Sequence, residues 1–213
     1  MTQKKKKYIA LIIYSLCFYA IWAVYVMCAE ESIGSVWSGL IKTTVWVLPA
    51  MLLVHKFRDS VQISLKEMFT AKVKFHQYVW VYALLAIWVL LGGFFHSGGL
   101  SFVIDFDSMV IVLFVGITEE MVFRGWLLNA TIDDMPQWAA LAINSAMFLA
   151  IHFPRWIQEG IFAGLFTSFS FVGIVALGAI FGISYIKSRN ILIPVTMHML
   201  YDLMMFVLLP QAP

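Results

Sequence analysis

Seven segments of the chain are apolar over lengths close to the roughly 20 residues that a helix needs to cross a bilayer. They run from Tyr8 to Cys28, Val36 to Val54, Tyr78 to Phe95, Met109 to Asn129, Gln137 to Phe153, Thr167 to Ile186 and Ile191 to Leu209. In hydrocarbon every backbone N–H and C=O has to be satisfied within the chain, so runs of this kind are helices. A barrel would instead show alternating apolar and polar positions. The whole chain is 62% hydrophobic and 12% charged, where a soluble domain is about half apolar and about a quarter charged. The expected fold class is therefore all-α: a polytopic transmembrane helix bundle of about seven helices (six to eight). The range reflects Ile161 to Phe166, which reads as an extension of the sixth helix, an interfacial stretch or a half-helix of its own.

The flanking charges orient the bundle. Lys4 to Lys7, Lys56, Arg58, Lys66, Lys72, Lys74, Lys187 and Arg189 fall on one side of a seven-crossing chain, and Arg155 alone falls on the other. By the positive-inside rule the N-terminus is cytoplasmic and the C-terminus external, in a multi-pass protein of the cell membrane. Lys4 to Lys7 before an apolar run is also the start of a signal peptide, but no small-residue cleavage site follows, so a retained first helix is expected. Leu65, Met68 and Phe69 lie among lysines in the loop from Phe57 to His76, which reads equally as an amphipathic surface helix or a plain basic loop. Cys17 and Cys28 form no metal pattern and no disulfide framework. Nothing points to nucleic acid; the lipid bilayer is the one partner the composition demands.

Charges inside these apolar segments are costly, about 2.5–3.5 kcal/mol each on insertion scales, and mark candidate functional sites. The fourth segment holds Glu119, Glu120 and Arg124. Glu120 and Arg124, at i and i+4, share a helix face and are expected to pair. Glu119 points about 100° away and is left without a local counter-ion, a carboxylate suited to general-base work on water. The fifth segment carries Asn144, Phe148 and His152 on one stripe, and the last carries His198 and Asp202 one turn apart. A buried ion-pair cluster, or a simple His–Asp packing pair, would account for each set alone. One shared polar cavity accounts for all of them together, because intramembrane charges face the bundle interior and each other.

Glu119-Glu120-x-x-x-Arg124, Phe148-x-x-x-His152 and His198-x-x-x-Asp202, in this order on consecutive hydrophobic helices, resemble the three-motif signature of the CAAX-protease and bacteriocin-processing (CPBP, or Abi) family. The resemblance covers roughly Met109 to Leu209, and divides the chain into N-terminal helices with a cytoplasmic loop (1–108) and a catalytic core (109–213). It implies an intramembrane endopeptidase acting on a membrane-embedded or lipid-associated peptide or protein. Glu119 and His152 would activate a water, and His198 and Asp202 would support the oxyanion. Glu120, Arg124, Asn144 and Phe148 would hold the site.

The family has Asn or Asp at the place of Asp202. Ionised Asp cannot donate to an oxyanion, so Asp202 either is protonated, orients His198 or ligates a metal. Glutamate-activated water requires no cofactor. The alternative is a divalent metal such as zinc on Glu119, His152, His198 and Asp202, a set sufficient in type and number. The sequence contains no His-Glu-x-x-His and no Gly-x-Ser-x-Gly. Tyr201-Asp202 is similar to the Tyr-Asp pair of presenilin-like proteases, but a Gly-x-Gly-Asp partner is missing. Two rivals stand beside the enzyme: a non-catalytic bacteriocin-immunity or partner-binding membrane protein of the same fold, and a proton-coupled transporter. The latter usually shows paired repeats, which this sequence does not.

Overall fold

The computed structural model describes residues 2–95 and 99–209, and among these it is all-helical with no strand. The expected external C-terminus at residues 210–213 lies outside the described residues. Helix α1 (Gln3–Cys28) starts five residues before the first apolar run, because Thr2 caps it by accepting from Lys5 N. Helix α2 (Ser35–Lys42) passes through a π-helical turn at Thr43–Val47 into α3 (Leu48–Lys56), so one rod spans Ser35–Lys56. Helix α5 (Val79–Phe95) follows the short α4 (Leu65–Thr70). Helix α6 (Phe106–Glu120) continues as a π-helix over Met121–Leu128.

Helix α7 (Gln137–Ala150) leads to two short helices, α8 (Phe153–Gln158) and α9 (Phe162–Thr167). The last rods are α10 (Phe171–Ser188) and α11 (Leu192–Leu208). Stretch 161–166 is thus a separate helix with no buried residue, broken from α10 at Phe169, whose φ of 59° is left-handed. Gln3–Cys28, Ser35–Lys56 and Phe171–Ser188 are long and apolar enough to cross a membrane; Val79–Phe95 and Leu192–Leu208 are shorter apolar helices. Large apolar side chains such as Leu16, Trp37, Trp80 and Phe94 point outward, as a surface solvated by lipid requires. The chain is a multi-pass helical membrane protein.

Small residues set the closest helix contacts. On α10, Gly178 and Gly182 are spaced four apart against α7. A Cβ on Gly178 would lie 3.1 Å from the backbone of Ser145. Without a hydrophobic drive between helices in lipid, this kind of backbone approach and its van der Waals contact hold the pair.

The two ends of the bundle differ. At one end, Lys7 Nζ bonds Ser60 O at 2.6 Å and Asp134 at 2.7 Å, and Lys4 also reaches Asp134. Arg189 pairs with Glu67 at 2.5 Å and donates to Gln62 O, while Asn190 donates to Ala71 O. The loop between α3 and α5 contains a short helix, α4, and is packed into the bundle. Phe57, Ile63 and Met68 are buried in the main core, with Phe57 stacked on Trp126 at 5.9 Å. Asn129 completes the attachment: its Oδ1 accepts from Ile63 N at 2.9 Å and its Nδ2 donates to Ile63 O at 2.8 Å. At the other end Glu30 takes Lys42 at 2.8 Å and also Arg155, and Ser35 bonds Asp107. The strap before α6 runs along the end of α11, with Ser101 N on Leu208 O and Val103 N on Val207 O.

Two expected outcomes test this packing. Asn129→Ala leaves both polar groups of Ile63 buried and unpaired, at about 1–3 kcal/mol per group. The thermal midpoint of the variant in detergent should fall by several degrees, and an unchanged midpoint would refute the attachment. The second concerns acid. The hydrogen bond from Arg189 holds the Glu67 carboxyl below its ordinary range. Burial works against charge at Asp134, but Lys4 and Lys7 outweigh it and hold that carboxyl low as well. Both folded values are depressed, so the contribution is fully present above the ordinary values near about pH 4 and is lost as pH falls through the folded ones. Thermal midpoints should be flat from neutral pH to about pH 5 and drop below about pH 4, with a smaller drop in Glu67→Gln.

Candidate active site

Three long helices bring the polar residues together. Helix α6 ends in Glu119 and Glu120, and the π-helical turns that follow hold Arg124. Glu120 and Arg124 are both completely buried and paired at 2.9 Å, as their spacing predicts. Arg124 Nη2 also donates to Gly178 O of α10 at 2.9 Å, and its guanidinium lies 4.4 Å from the Phe148 ring centroid. Asn144 Nδ2 donates to Phe123 O at 2.8 Å, fixing the π-helical backbone to α7. Short π segments inside helices occur frequently at functional sites.

Helix α11 supplies His198, packed between rings: Phe181 stacks at 5.0 Å and Phe148 meets it edge-on at 5.8 Å. The spacing reading made Asp202 its natural partner. In the structure its tighter contact is on another helix, Nδ1 to Glu120 Oε1 at 2.9 Å. Asp202 Oδ2 is 3.4 Å from Nε2 and Glu119 Oε2 is 4.0 Å from it. Glu120 Oε1 also accepts from Arg124, so His198 Nδ1 donates to it. That leaves Nε2 facing Asp202 and Glu119.

His152 sits where α7 meets α8. Its Nδ1 is 2.9 Å from Phe148 O, and a carbonyl only accepts, so the hydrogen is on Nδ1 and the Nε2 lone pair is exposed. Glu119, His152 and Asp202 line one cavity of about 770 Å³, whose wall also includes Lys42 and Trp22. Glu119 Oε2 and Glu120 Oε2 are both buried without a hydrogen-bond partner among the described residues, and of the two residues Glu119 is the one that lines the cavity. Glu119, His152, His198 and Asp202 are thus gathered, as are their supports Glu120, Arg124, Asn144 and Phe148.

Lys42, a charge inside the second apolar segment (Val36 to Val54), belongs to the same site. It is buried in the cavity wall, 2.8 Å from Glu30, and its ammonium lies 4.9 Å from the Trp22 ring. The signal was the charge itself; what the sequence lacked was the loop contact to Glu30. A metal fits less well. Among the described residues no group of three or more His, Cys, Asp or Glu is gathered closely enough to hold an ion. Each histidine bonds an acceptor through Nδ1 and keeps Nε2 available, an arrangement that a metal ligand and a proton acceptor share.

Fold and geometry define a class: a polytopic helical membrane protein with ionisable residues from three helices around one polar cavity. The chain belongs to the type II CAAX prenyl endopeptidase Rce1-like family, which it matches over residues 79–204. The match takes in α5 as well as every motif residue. No curated protein and no solved structure gives a match.

Arg124 is the test of the site's frame. Arg124→Ala leaves Glu120 buried and unpaired, a change that costs about 3–5 kcal/mol where it has been measured. The yield of folded protein and its thermal midpoint should both fall, and an unchanged midpoint would show that the pair does not support the bundle.

Proposed function

We propose that the protein is an intramembrane endopeptidase that hydrolyses a peptide bond of a membrane-embedded or lipid-associated substrate with a glutamate- and histidine-activated water. The observation that carries this reading is the buried, unpartnered Oε2 of Glu119 in the wall of the cavity. A carboxylate kept unpaired there costs stability, and accepting a proton from a bound water is a use that explains the cost. Family membership supports the reaction class. The active core is residues 109–213, with residues 1–108 providing the opposite wall of the cavity through Trp22 and Lys42. The protein lies in the cell membrane with its lysine-rich end cytoplasmic.

In the proposed reaction, water sits between Glu119 and the free Nε2 of His152. Glu119 takes its proton as the oxygen attacks the scissile carbonyl. His198, carrying a proton on both nitrogens, donates from Nε2–H to the developing oxyanion, and Nδ1–H held by Glu120 fixes the ring in that direction. Glu119 then returns the proton to the leaving amine, which closes the proton balance. Asp202 steers His198 when ionised and donates to the oxyanion itself when protonated. No step passes through a metal.

Cleavage of candidate membrane peptides by purified protein is the measurement. Glu119→Gln, His152→Ala and His198→Ala should each lower the rate by at least about 100-fold with the bundle still folded. Pairs should lose little more than the worse single variant, since these groups act as a unit. Asp202→Asn should keep or raise activity if the residue donates to the oxyanion. Loss of activity that zinc restores would assign it to a metal. A Glu119→Gln protein that still performs the native role in cells would remove proteolysis and leave an immunity or partner-binding protein.

A further inference from the structure

We infer that the catalytic cavity is entered from the non-cytoplasmic face of the membrane, that residues 57–70 plug its cytoplasmic side, and that the substrate is a peptide segment presented on the outer face. The inference rests on the protease reading for the word substrate, but not for the direction of access.

Two independent observations carry it. The first is where the cavity opens. Around Glu119, His152 and Asp202 its remaining lining comes from one end of the bundle. Gly34 and Ser35 lie in the α1–α2 turn, Asp107 at the start of α6, Arg155 and Glu159 on α8, and Phe206 near the end of α11. From Asp107 to Glu119 is twelve residues of α6, about 18 Å of helix, so the opening reaches to mid-membrane from that end alone.

The second is what fills the other side. Immediately past Glu120, the π-helical residues Met121 to Leu128 are all buried. Phe57, Ile63 and Met68 close over them, Phe57 stacking on Trp126 and Asn129 holding Ile63 by both backbone groups. Arg189 to Glu67, Ile191 N to Met68 O and Lys7 to Ser60 O pin the same segment to two other parts of the bundle, the α10–α11 turn and α1.

The closed end carries Lys4 to Lys7, Lys56, Arg58, Lys66, Lys72, Lys74, Lys187 and Arg189, whereas the open end carries Arg155 and the buried Lys42 paired with Glu30. A bias of that size in short loops fixes the closed end in the cytoplasm. The tail of a cytosolic protein would then have no path to Glu119, and a segment that has already crossed, or that hangs from the outer leaflet, would have one.

Site-directed labelling of the full chain tests this without relying on proteolysis. Cys17 and Cys28 are first replaced by alanine. Glu159→Cys and Ser35→Cys then report on the open end and Thr70→Cys on the plug, and intact cells are treated with a membrane-impermeant maleimide. Glu159→Cys and Ser35→Cys should label in intact cells, and Thr70→Cys only in inside-out vesicles. A bulky maleimide on Ser35→Cys should also reduce cleavage of an added peptide. Labelling of Thr70→Cys from outside, with both mouth positions labelling only in inside-out vesicles, would overturn the inference. The expected labelling in a protein that cleaves nothing would keep the direction of access and remove the protease reading instead.

Discussion

The buried pair of Glu120 and Arg124 is the contact on which the rest of the molecule turns. Two unit charges in hydrocarbon are tolerable only with matched partners. Each partner is spent on more than the other. Arg124 ties α6 to α10 through Gly178 O, and Glu120 ties α6 to α11 through His198. The pair therefore locates three helices relative to one another, and the backbone carbonyl it uses is reachable because Gly178 lets α7 and α10 come close. The candidate chemistry inherits its geometry from this frame: His198 has one nitrogen occupied by Glu120, and its other nitrogen is thereby aimed.

Much of this was legible in the sequence, and the reasons differ from feature to feature. Apolar length alone located seven long helical rods to within a few residues, because lipid leaves a long apolar segment no other way to satisfy its backbone. The i, i+4 spacing of Glu120 and Arg124 gave their pairing, since it is a property of one helix. His198 was assigned to Asp202 for the same local reason, and that assignment missed Glu120, which comes from a different helix 78 residues away. The π-helical stretches after Lys42 and Glu120 had no sequence signal, as the choice between i−4 and i−5 bonding is made by neighbouring helices. Phe57, Ile63 and Met68 follow neither a helical nor a strand period, so the burial of that loop was invisible until Asn129 and Arg189 were seen to hold it.

Polarity along the membrane normal organises the remaining residues. Ion pairs at the lysine-rich end, Lys7 with Asp134 and Arg189 with Glu67, fasten loops to each other and leave a packed apolar layer beneath them. At the opposite end the charged contacts of Glu30 with Lys42 and Arg155 stand around an opening instead. The same kind of interaction thus closes one side and frames the other. The difference lies in whether large apolar side chains stand under it.

The attachment of the loop before α5 also constrains how the chain is built. Lys7, which bonds Ser60 O, is made before it, but its other side-chain partners come later: Asn129 lies 66 residues beyond Ile63, and Arg189 lies 122 residues beyond Glu67. When the first helices enter the membrane, the backbone groups of Ile63 and the carboxylate of Glu67 have nothing to bind. Long-range contacts of this kind form after local ones, because loop closure must come first. The bond from Arg189 consequently cannot form until four more rods have been made. A nascent chain halted before Arg189 would hold the polar cluster of α6 without its α11 partners and with the loop lacking its bond to Arg189.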